Sequence, residues 1–273
     1  MRLQYVSAAT GAAWVRRGFQ TFAKQPLAFS GLFAAFLFFV FVLTLVPVIG
    51  PLLLLALLPL GSLGFMIATH STLNGGPVHL MQLFEGLRVP DPSRRNAQLL
   101  LCAMYALASI GVIELAAWVD DGLFEQLQIA RATPGTSPEE LQRLMTDPRL
   151  AYGMLVRMGA ASLVSIPFWH APALVHWGHQ GAWQALFSST LALWRARGAF
   201  FVYALGWTML SVAVGLIAVI ASVGTSSLQL VSVLLMPIAM SLTAVFYVSL
   251  WFTFADSFGE ELPDPTSPPA TGA

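Results

Sequence analysis

Residues 26–70 read "PLAFSGLFAAFLFFVFVLTLVPVIGPLLLLALLPLGSLGFMIATH". Two apolar runs lie in it, roughly 27–46 and 51–73, each close to the ~20 residues a helix needs to cross the hydrocarbon core of a bilayer. A helix is the expected form, because in lipid it satisfies its own backbone polar groups within one segment. The link at 47–50 has room only for a tight turn, so the two runs must form an antiparallel hairpin.

The remainder of the 273 residues repeats the device: further apolar runs fall at 97–118, 152–176, 199–223 and 228–254, the last two joined by another short link at 224–227. Hydrophobic residues make up 57% of the chain and charged residues 10%, against about 25% charged in an ordinary soluble domain. The expected fold class is therefore all-α: a polytopic membrane protein with six transmembrane helices arranged as three hairpins. Residues 1–256 form one membrane domain with a single sizeable loop at about 119–151, and the proline-rich 257–273, "SFGEELPDPTSPPATGA", reads as a disordered tail. The first run is too long for the core of a secretory signal and is followed by no small-x-small cleavage site, so it reads as an uncleaved span. The single cysteine, Cys102, lies inside a span and has no partner for an intrachain disulfide.

Net charge is zero, but the charges are banded. Nine of the thirteen basic residues flank the spans on one side: Arg2, Arg16, Arg17 and Lys24, then Arg88, Arg94 and Arg95, then Arg195 and Arg197. Basic residues beside spans stay preferentially in the cytoplasm, so both termini are expected inside and the loop at 119–151 outside. Within that loop "TSPEELQRLMTD" predicts a short helix, with Ser137 as cap, Pro138 at the first helical position and Glu140 closing a capping box.

Before each outward-going span stands an amphipathic stretch suited to the headgroup boundary: "AAWVRRGFQTFAKQ", "VHLMQLFEGLR" and "AWQALFSSTLALWRARG". Each returning span carries a proline, Pro59, Pro167 or Pro237. The implied plan, used three times, is interfacial helix, span, proline-bearing span.

Several groups of residues are candidates for a role. Ala204, Thr208, Ser211, Gly215, Ala218 and Ser222 recur at helical steps along span five, and in lipid such small residues let helices approach closely; another helix, of this chain or a second copy, is expected against them. Glu114 and Arg157 are the ionisable residues within spans, each about 6 Å inside the outer boundary at 1.5 Å per residue, which makes them candidate ion-pair partners. His170, His176 and His179 fall in "SIPFWHAPALVHWGHQGAW", residues 165–183, and are candidates for a ligand or proton site. The absence of a nearby carboxylate or cysteine favours a headgroup-level aromatic belt with Trp169, Trp177, Trp183 and Trp194, and no metal is expected. No nucleophile elbow, phosphate-binding glycine loop or zinc-protease signature is present, so no catalytic residues, cofactor or enzymatic activity are expected. Nor is a nucleic-acid partner, because topology accounts for the basic residues.

The stretch Pro167–Leu205 adds a resemblance. Its Ala171-Pro172-x-Leu174-Val175 exit, the following Ala185-Leu186-Phe187-x-Ser189 and the basic residues before the next span resemble a family of uncharacterised proteobacterial polytopic inner-membrane proteins. His170 stands where that family usually has an aromatic residue, and Arg195–Arg197 where it has Arg-Asn. The resemblance implies a multi-pass protein of the bacterial inner membrane and supplies no catalytic residues. The functional expectation is a non-enzymatic accessory or scaffold protein, with membrane lipids and another membrane protein or second copy as partners. The alternative is a permease-like protein binding or moving a lipid or small apolar solute, which requires an opening between spans two, four and six.

Overall fold

The computed structural model describes residues 3–47, 49–225 and 228–259, so most of the expected tail lies outside the described residues. Every regular element among them is helical. Three hairpins follow one another, each introduced by a shorter helical element. The first is α1 (Thr10–Phe22), α2 (Pro26–Thr44) and α3 (Ile49–Leu73). The second comprises a 3₁₀ helix (Leu80–Leu87), α4 (Pro92–Asp120), the loop helices α5 (Leu123–Ala132) and α6 (Pro138–Thr146), then α7 (Pro148–Phe168) and its continuation α8 (Ala171–His176). The third is α9 (Ala182–Arg195), α10 (Arg197–Thr225) and α11 (Leu228–Phe258). The six apolar runs thus correspond to α2, α3, α4, α7–α8, α10 and α11, all long and apolar enough to span a membrane.

Helix boundaries follow local chemistry. Pro26, Pro92, Pro138 and Pro148 each stand at a helix start, where the missing N–H is no loss. Asp91 Oδ1 accepts from Ser93 N (2.9 Å), Ser137 Oγ from Glu140 N (3.1 Å) and Asp147 Oδ1 from Arg149 N (2.9 Å). The Arg149 side chain and backbone, both donating to Asp147, hold its carboxyl below the usual carboxylate range. The helix expected at 137–146 is present, whereas α5 has no counterpart in the sequence reading. It begins at Gly122, whose φ of 72° suits a residue without a side chain.

The introductory elements pack in a cyclic order. The 3₁₀ helix lies on α3, α9 lies on α7 and α8, and α1 closes the ring on α10 and α11. Each therefore docks mainly on the hairpin before its own. Two of these contacts are backbone to backbone: a Cβ at Gly64 of α3 would sit 2.6 Å from Leu83 Cα, and one at Gly11 of α1 would sit 2.1 Å from Ala199 O. The third is polar. At the break between α7 and α8, Ser189 Oγ of α9 donates to Ile166 O (3.0 Å) and accepts from His170 N (3.0 Å), bridging the pair a continuous helix would have joined directly.

Between hairpins, α3 lies along α4 and α11 along α2, but the corresponding third seam, α7 with α10, is not packed along its length. The main core gathers at the end of the bundle that carries both termini, around Trp14, Leu174, Tyr203, Trp251 and Phe254. At the opposite end the loop helices have a small core of Leu123, Leu127, Leu144 and Leu150. Along the spans, residues such as Leu107, Leu155 and Ile220 turn outward, as lipid-facing positions must.

Candidate functional site

An opening lies between α3, α4, α7 and α11. A cleft of about 170 Å³ lies among Leu58, Pro59 and Ser62 of α3, Tyr105 of α4, Ser165, Phe168 and Trp169 of α7 and its exit, and Phe246, Tyr247 and Leu250 of α11. It therefore sits between spans two, four and six, with span three as a further wall. Pro59 breaks the backbone ladder of α3 at this level, and α7 ends one residue after Pro167.

The walls are rigid and apolar. Tyr247 stacks on Phe65 with ring centroids 4.9 Å apart, and Tyr105 meets Phe168 edge-on at 5.1 Å. The Ser62 and Ser165 hydroxyls donate to carbonyls of their own helices, Pro59 O at 2.8 Å and Ser162 O at 2.7 Å. The surface left to an occupant is mostly hydrocarbon and aromatic ring, the lining of a pocket for an apolar chain.

Below the cleft several polar side chains hold the helices together. Thr253 Oγ1 donates to Leu250 O (2.8 Å), so towards Trp169 Nε1 (3.2 Å) and His170 Nε2 (3.0 Å) it acts as acceptor. That assigns the ring proton of His170 to Nε2. Gln98 Nε2 donates to Pro172 O (2.7 Å) and the Arg94 guanidinium to His176 O, so two polar residues of α4 hold the carbonyls of the short α8. Asp256 near the end of α11 accepts from Trp14 Nε1 (2.8 Å) and pairs with Arg17, which also lies over the Phe252 ring at 4.6 Å.

The three candidate histidines occupy three different settings. His170 is fully buried on Thr253, the His176 ring stands edge-on to Trp177 with centroids 4.8 Å apart, and His179 is exposed with φ 53°. Among the described residues no three His, Cys, Asp or Glu side chains gather closely enough to hold a metal ion. The aromatic belt is divided likewise: Trp183 and Trp194 are exposed, whereas Trp169 and Trp177 pack against the core.

Arg157 takes a different partner from the one expected. Its guanidinium lies 3.7 Å from Asp120 Oδ2 and 4.0 Å from the centre of the Phe124 ring, while Glu114 is exposed. Six residues at about 100° each place Glu114 on a different face of α4 from Asp120. Asp120 is completely buried, and a Cβ at Gly153 of α7 would lie 2.5 Å from it. The loop end also holds a cavity of about 310 Å³ lined by Asp121, Gln126, Arg143, Asp147 and Arg149. Arg149 there bridges Asp121 and Asp147, each at 2.9 Å.

Among the described residues, no helix covers the small-residue stripe. Ala204, Thr208, Ser211 and Gly215 are exposed, Ala218 and Ser222 half-buried, and nothing lies within 4 Å of a Cβ built at Gly215. The packed face of α10 instead runs through Tyr203, Trp207, Leu210 and Val214. Gly11 and Val15 of α1 approach α10 at Ala199 and Gly206, while Trp169 and His170 meet it at Phe200. On a helical wheel the stripe falls on the Phe200 side. It therefore borders the unpacked seam between α10 and α7.

The fold defines the class: an all-α polytopic membrane protein with six helices long and apolar enough to span a bilayer. The chain is 33% identical over 273 residues, covering 99% of both chains, to a Burkholderia thailandensis protein named as a probable inner membrane protein, and it belongs to that family. No family model matches it. No solved structure matches it either.

Proposed function

We propose that this inner-membrane protein is non-enzymatic and binds an acyl chain or small apolar solute in the cleft between α3, α4, α7 and α11. The observation that carries the proposal is the cleft itself, since a bundle serving only as a scaffold has no need of an apolar opening between its spans. At about 170 Å³ the cleft is below the roughly 300–1,000 Å³ of pockets that enclose whole drug-sized ligands, so it suits one segment of a chain whose remainder lies in lipid. The seam between α7 and α10 is the lateral route of entry. Replacing half-buried Ser165 with phenylalanine fills the cleft. Protein purified in mild detergent is expected to carry a defined lipid or apolar solute, by mass spectrometry of the extract, that Ser165→Phe loses while its melting temperature changes little. Identical extracts from the two proteins would reject the cleft as a binding site.

A second reading, an accessory or scaffold role with another membrane protein or a second copy as partner, draws on α10. No residue of its most apolar 18-residue stretch is buried, and small residues run along it. Co-purification of a stoichiometric protein, undisturbed by Ser165→Phe, favours this reading.

For orientation we propose that the end bearing both termini faces the cytoplasm, supported by the basic residues that flank the spans there. Reporter fusions after residues 90, 135, 190 and 260 are expected to read inside, outside, inside and inside. An inside signal at 135 would overturn this topology.

A further inference from the structure

The helix α1 has three faces with three chemistries. Gly11, Trp14, Gly18 and Thr21 are buried against the bundle. Phe19 and Phe22 roof an apolar groove of about 300 Å³ whose remaining wall is one face of α11, Pro237, Ile238, Ser241, Leu242 and Val245. Arg16, Gln20 and Lys24 are exposed on the far side. Arg17 is engaged by Asp256, but among the described residues neither Arg16 nor Lys24 forms a salt bridge.

We propose that this groove is an anionic phospholipid site, separate from the central cleft, in which one acyl chain lies along α11 beneath Phe19 and Phe22 and the phosphate is held by Arg16 and Lys24. Charge complementarity selects this occupant over a protein helix. The groove passes beneath an interfacial helix whose solvent side presents two uncompensated cations one turn or less from the roofing phenylalanines, at the level where lipid phosphates lie. A transmembrane helix would fill the groove without meeting those charges. A neutral or zwitterionic lipid would fit the groove but leave the cations without a net countercharge. Ser241, half-buried on α11, marks the middle of the acyl path.

The test uses the full chain reconstituted in nanodiscs of phosphatidylcholine mixed equally with phosphatidylglycerol, released in the mass spectrometer, and scored for the lipids that stay bound. The wild type is expected to retain phosphatidylglycerol in preference to phosphatidylcholine. The preference should fall about fivefold for each charge removed in Arg16→Gln and Lys24→Gln, and shrink as salt is raised before release. Both positions are exposed, so the variants should fold, and an unchanged melting temperature checks it. Ser241→Trp should expel the lipid altogether, whereas Ser165→Phe should leave the preference intact, which separates this site from the central cleft. Equal retention of the two lipids by the wild type, or an unchanged preference in the Arg16→Gln, Lys24→Gln double variant, would overturn the assignment.

Discussion

Arg157→Leu is expected to destabilise the protein by about 3–5 kcal/mol, the usual cost of removing one partner from a buried ion pair. The cost arises at Asp120, which is wholly buried and, among the described residues, has Arg157 as its one salt-bridge partner. Its Oδ1 already accepts from Gly122 N at 3.0 Å, fixing the left-handed turn that starts α5. Without Arg157 the buried carboxylate is left without a countercharge, and the guanidinium's stacking on Phe124 is lost with it. Asp120→Asn combined with Arg157→Leu should cost less than the two single changes added together. Glu114→Gln, on an exposed position of the same helix, should stay within about 0.5 kcal/mol. Thermal unfolding in detergent, followed by tryptophan fluorescence, measures the four variants against the wild type. Parity between Arg157→Leu and Glu114→Gln would sink the pairing.

Glu114 marks the boundary of what sequence could show. Hydropathy placed all six spans, because length and composition alone decide what crosses a bilayer, and the basic residues singled out one end of the bundle. Position along each helix could be counted from the sequence. Facing could not. Counting placed Glu114 and Arg157 at similar distances from the loop, but partnership depends on rotation about α4, and the pairing face there is the Ala116–Asp120 ridge. The same gap appears on α10, where a stripe of small residues was legible as a surface of close approach. The helix instead packs through Tyr203, Trp207 and Val214, because its neighbours at the terminal end are the rings of Trp14, Trp169 and Phe246.

The stretch at 165–183 shows how little residue type settles without partners. Its histidines and tryptophans had the composition of either a headgroup belt or a ligand site. In the fold, His170 and Trp169 share one threonine, Thr253, from a helix more than eighty residues further along the chain. Ser189, Gln98 and Arg94 hold the helix break from two other elements. None of these partners lies in the stretch, so no local motif could have announced them. The pairing of Asp256 with Arg17 and Trp14 was no more legible, because its two sides lie about 240 residues apart in the chain.

Gly11→Val is the second change with a large expected effect, because α1 closes the ring of hairpins by backbone contact. A Cβ at Gly11 falls 2.1 Å from Ala199 O and 2.8 Å from Tyr203 N. Both are backbone atoms inside α10, and no rotamer change relieves them. The helix α1 must lift away, and its displacement would pull Trp14 and Arg17 from Asp256 and part Trp14 from Phe200, whose centroids are 5.1 Å apart. Overpacking of this kind costs about 3 kcal/mol or more when the clashing atoms cannot move. Gly31 and Gly159, where nothing lies within 4 Å of an added Cβ, serve as controls, and alanine there should be neutral or slightly stabilising within a helix. The melting temperature of Gly11→Val should fall well below those of both controls, and limited proteolysis should cut first between α1 and α2, at the Lys24 link that an undocked α1 no longer restrains. An α1 that stays protease-resistant in Gly11→Val, with an unchanged melting temperature, would show that the ring does not depend on this contact.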